Sequence, residues 1–113
     1  MIHDRPIPFR FALALVLSSV GLILPAWADF ETAMYAYNRK DYATALREWQ
    51  ALAEQGEADA QDFLGTLHFK GWGVAQDYTK ARQWWEKAAA QGSASAQSDL
   101  ALLYATGWAD PRT

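Results

Sequence analysis

Small and aromatic positions recur along this chain with a helical spacing. Ala45, Trp49 and Leu52 fall at i, i+4 and i+7, and Ala81, Trp85 and Ala88 do the same 36 residues later. A second stripe, Ala60, Leu64, Leu67 and His68, returns as Ala96, Leu100, Leu103 and Tyr104. Such stripes mark the buried side of amphipathic helices. No segment alternates with the period of two that a half-buried strand needs, so the pattern predicts helices at 30–39, 42–55, 58–70, 78–91 and 94–106. Their ends carry the expected residues. Asp41 and Asp77 stand where a side chain can accept from an orphan N–H. Gly56 and Gly92 stand where a left-handed residue closes a helix.

The offset is fixed over a long stretch. Asp41–Trp72 laid on Asp77–Trp108 gives 14 identities in 32 positions, among them both tryptophans, both glycines and the alanine seam. Self-similarity at this period signals stacked units, none of which buries its apolar face alone. Alanines let neighbouring helices approach and a tryptophan fills the space between pairs. The expected fold is therefore all-α, an α/α superhelix of about two and a half helix pairs: 30–56, 57–92 and a half repeat at 93–108. The turn of the first unit is shorter, six residues from Tyr35 to Asp41 against nine from His68 to Asp77, with Asn38-Arg39-Lys40 in place of a glycine loop.

Composition alters the picture at the start of the chain. Arg5 and Arg10 precede an uncharged apolar run of 14 residues, Phe11–Leu24, and Ala26-Trp27-Ala28 puts small residues where a signal peptidase reads. That is the layout of a secretory leader, and the run is shorter than the roughly 20 residues of a membrane span. The expected leader is 1–28 and the expected mature domain 29–113, exported to the periplasm or beyond and not inserted in a membrane. The absence of Cys excludes a lipidated cysteine and any disulfide, so apolar packing alone must hold the domain. Removing Arg5, Arg10 and Asp4 leaves 8 basic and 12 acidic side chains. A net charge of that sign gives no reason to expect a nucleic-acid partner.

The residues Ala58-x-Ala60-Gln61-x-x-Leu64-Gly65-x-x-His68-x-x-Gly71-x-Gly73-Val74-x-x-Asp77-Tyr78-x-Lys80-Ala81-x-x-Trp84-Trp85-x-Lys87-Ala88-Ala89-x-x-Gly92 resemble a Sel1-like repeat, a relative of the tetratricopeptide repeat. His68 departs from the tyrosine usual there, and Tyr104 does not. The resemblance implies a superhelix whose first helices line a concave surface, and a role as an adaptor or scaffold that binds other proteins. It also implies that exported bacterial members serve secretion, envelope assembly, host contact or immunity against a periplasmic toxin. Some cysteine-rich relatives are linked to β-lactam binding or hydrolysis, but this chain has none of their cysteines. The half repeat lacks its second helix, leaving Leu102 and Trp108 with little cover; self-association through this end follows as an expectation.

Catalytic readings find little support. His68 is the single His of the mature chain, lies on the apolar stripe and reads as core. With no second His and no Cys, zinc is not expected, and no cofactor motif is present. Asp59 and Asp62, three apart, read as a solvated face. Trp72 is expected to fold back over the helix ends and Trp108 to stay exposed. A helical wheel places Asp62, Thr66 and Phe69 on the outward side of a first helix, with Tyr35 and Tyr37 on the helix before it; together with Trp108 these are the expected partner-binding residues.

Overall fold

The computed structural model describes residues 29–107; the expected leader and Trp108 lie outside them. Five helices follow one another: α1 (Phe30–Asn38), α2 (Tyr42–Glu54), α3 (Ala58–Lys70), α4 (Tyr78–Ala90) and α5 (Ala94–Thr106). Each packs chiefly on its neighbours in sequence, so α1/α2 and α3/α4 are helix pairs and α5 opens a third. Among the described residues there is no strand, and none of the helices is long and apolar enough to cross a membrane. The fold is an all-α repeat stack, and the expected helices match to within about one residue at each end.

Capping explains those boundaries. The carboxylates of Asp41 and Asp77 accept from the backbone N–H of Thr44 and Lys80, and the Ser93 hydroxyl accepts from that of Ala96, at 3.0–3.3 Å. Each bond satisfies a donor that the first turn of a helix leaves orphaned. In the short first turn Lys40 takes the left-handed conformation that glycine serves elsewhere (φ 65°). In the longer turn Gly73 (φ 78°) passes so close to α2 that a Cβ there would lie 2.7 Å from the Tyr42 carbonyl oxygen.

That approach brings Trp72 onto Tyr42, their rings stacked 4.7 Å apart, so Trp72 folds back as expected. The first core gathers Trp49, Leu52, Leu64 and Leu67 with the alanine seams of α1, α2 and α3. Around it lies a run of touching rings in which Phe63 stacks on Trp49 at 4.5 Å. Alanine seams, Trp85 and Leu103 form a second core among α3, α4 and α5.

Repeated glutamines tie one unit to the next. Gln61 Nε2 donates to the Ala53 carbonyl, and one repeat later Gln97 Nε2 donates to that of Ala89. Gln91 Nε2 reaches back to the Gly56 carbonyl and to Gln61 Oε1, both at 2.9 Å. The identity at Gln61/Gln97 thus serves the stacking of units as much as the helices themselves.

Candidate functional site

Because Gly65 has no side chain, the indole of Trp85 lies directly across α3. A Cβ at position 65 would sit 2.6 Å from the indole ring. The indole N–H donates to the Asp62 carbonyl at 3.0 Å, fixing the ring in place. Beside it, α3 and α5 are neighbours along the same side of the stack, separated by an apolar groove of about 250 Å³. Trp85 and Leu103 form its base; Thr66 and Phe69 come from α3, Asp99 and Leu102 from α5. At its rim Leu102 is 62 % exposed, a large apolar side chain presented to solvent.

The acidic end of the groove differs from the sequence expectation. Asp62 is half-buried, not solvated, because α5 covers it: the Ser95 hydroxyl donates to its Oδ2, while Oδ1 is sealed from solvent with no partner. Burial pushes the Asp62 carboxyl above its ordinary value, against the pull of the Ser95 bond, and nearby Asp59 adds to the rise. Asp99 is raised too, first by burial and then by Asp62, with Lys70 opposing. Asp62 thus helps to hold up the carboxyl of Asp99, which lines the groove.

Asp62, Thr66 and Phe69 share one side of α3; Thr66 and Phe69 line the groove, and Asp62 lies beside it under α5. The two tyrosines lie elsewhere. Tyr37 belongs to the first core, its ring within 5.4–6.1 Å of those of Tyr42, Trp49, Phe63 and Trp72. Its side chain is half-buried there and does not line this groove. Tyr35 is exposed beneath the Arg39 guanidinium and lines neither this groove nor the cleft described next. Trp108 is outside the described residues. Asp99 was not expected at the groove, since Phe63 occupies the equivalent place one repeat earlier, and Leu102 was expected only to lack cover.

A broader cleft of about 620 Å³ separates α2 from α4, with Gln50, Lys80, Gln83, Trp84 and Lys87 on its walls. His68 lines it from α3, only 5 % exposed, its Nδ1 sealed and without a partner. Burial first and then the Lys80 ammonium lower its pKa, with Asp77 opposing. Among the described residues no three His, Asp or Glu side chains converge as a metal-ligand group.

Comparison with known proteins agrees with the repeat architecture. The Sel1 repeat family matches residues 58–93 and 94–112. A crystal structure of a Sel1 repeat protein from Oxalobacter formigenes is similar over 89 % of this chain, with 26 % identity and a TM-score of 0.63. The chain spans 45 % of that protein's length. No curated protein matches. Sel1 repeats are generally protein–protein interaction modules. The alanine and leucine seam of α3, its return in α5 and the likeness to a solved relative lead to one conclusion: residues 58–112 are Sel1-like repeats.

Proposed function

We propose that this chain is an exported, non-enzymatic adaptor that binds a segment of another protein in the groove between α3 and α5. One observation carries the reading: α3 and α5 repeat on their packing side and differ at most of the positions that wall the groove. Ala60, Gln61, Leu64 and Leu67 recur unchanged in α5, whereas Asp62, Phe63, Thr66, Phe69 and Lys70 become Ser98, Asp99, Leu102, Ala105 and Thr106. Stacking fixes the first set. From the second set Thr66, Phe69, Lys70, Asp99 and Leu102 wall the groove over a base of Trp85 and Leu103, and stacking does not dictate their identity. An apolar anchor with polar groups setting its register is how grooves of this kind hold peptides and helices. The basic head, short apolar run and small-residue cut site of 1–28 support export to the periplasm or outside the cell.

The test places a photo-crosslinking residue at position 66 and, as a control, at exposed Gln83 on the α2/α4 flank. The reading expects an adduct of defined mass with another protein from position 66 and none from position 83. Equal labelling from both, or none from the groove, contradicts it. An adduct of twice the chain's mass would instead identify a second copy as the occupant, which the exposure of Leu102 and Tyr104 on α5 favours as the second reading. A secreted toxin in the adduct would make the adaptor a neutralising one.

A further inference from the structure

Glu48 is the least expected buried side chain in the molecule. It sits in α2 between Ala45 and Leu52 and is only 2 % exposed. One repeat later the equivalent position is Trp84, so helix stacking does not call for a carboxylate there. A buried carboxylate is costly unless it is paired. One oxygen, Oε2, lies 3.6 Å from the Arg47 guanidinium, which is largely in solvent. The other, Oε1, accepts a hydrogen bond of 2.9 Å from the backbone nitrogen of Asp29. Asp29 is itself held in place, since its side chain accepts from the Glu31 N–H and the Thr32 hydroxyl and so caps α1.

The position of that nitrogen gives the contact its meaning. In the intact chain it is an amide N–H. The Ala26-Trp27-Ala28 signal ends at the bond that makes it one. Hydrolysis by a signal peptidase adds water across the Ala28–Asp29 bond, leaving a carboxylate on Ala28 and a primary amine, protonated at neutral pH, on Asp29. We infer that leader removal after Ala28 creates the counter-ion of Glu48: the new Asp29 α-ammonium forms a part-buried ion pair with the Glu48 carboxylate and locks the first helix pair. The inference rests on the export reading, and on the cut falling after Ala28. The unprocessed chain offers Glu48 a neutral donor, whereas the processed chain offers a charge-assisted bond from the same atom, a stronger interaction. Processing thus tightens the fold once the leader is gone, and does so through a residue that the repeat pattern leaves unexplained.

Two readouts separate the export reading from the ion pair. The exported protein is recovered and the mass of its N-terminal peptide measured; a start at Asp29 is expected, and any other start overturns the inference by removing the charge from this atom. In the protein beginning at Asp29, the rate of acylation of the α-amine at pH 7 is then compared with that of Glu48→Gln. An α-amine ordinarily titrates at about 7.7–8.0, and each unit by which Glu48 raises it slows labelling roughly tenfold at pH 7. Labelling about tenfold slower in the parent than in the Glu48→Gln variant is expected, and equal rates overturn the ion pair while leaving export standing. A third chain, made in the cytoplasm and starting Met–Asp29, keeps the amide at this position. It is expected to melt several degrees below the processed protein; an identical melting temperature also overturns the inference.

Discussion

Trp85 and Gly65 show how a single pair of residues sets both the fold and the site. The indole fits across α3 because position 65 has no Cβ, and its N–H is spent on the Asp62 carbonyl, so the base of the groove is a ring held flat and dry. Gly65→Ala introduces a methyl 2.6 Å from a buried, hydrogen-bonded indole that has little room to retreat. Overpacking of this kind costs about 1–3 kcal/mol, against the roughly 1 kcal/mol that alanine gains over glycine within a helix. A lower melting temperature is expected, and a melting temperature at or above that of the parent would contradict the contact. At this scale the sequence was only partly legible. The repeated Trp49/Trp85 and the alanine seams announced themselves by identity. Glu48 and Asp62 did not, because their burial comes from α1 and α5 arriving from elsewhere in the chain, and no local pattern records that arrival.

At the scale of elements, α5 is both the third first-helix of the stack and the wall that makes the groove. Its packing on α3 carries an electrostatic cost, since Asp99 and Asp62 are drawn together at the seam. Burial and Asp62 raise the Asp99 pKa above its ordinary 3.8, so the folded state binds its proton more tightly than the unfolded chain does. The contribution to stability is then fully present below pH 3.8 and lost as pH rises through the folded value. Asp99→Asn removes the like charge and is expected to raise stability at pH 7 by a few tenths of a kcal/mol, a figure kept small by solvent screening. The gain should shrink as pH falls towards 3.8. Denaturant titrations at pH 7 and pH 4 measure it, and a loss of stability at pH 7 would show that Lys70 outweighs Asp62. The helices themselves were readable from caps and period, because both are local. Their contacts followed from the 36-residue identity. The groove walls on α5 were not readable, since they occupy positions at which the two repeats differ.

For the whole molecule, the division between repeating and non-repeating positions is the organising fact. Identical residues build two cores and the glutamine ties between units; the differing ones on α3 and α5 surround an apolar groove. The central claim is that recognition occurs in the groove and is separable from stability. The affinity of Leu102→Asp for the protein captured at position 66 tests it most directly, with the melt recorded alongside. Leu102 is mostly exposed, so the melt should stay within about 0.5 kcal/mol of the parent. The account expects Kd to rise at least about tenfold, some 1.4 kcal/mol. An unchanged Kd in a normally folded variant would contradict it.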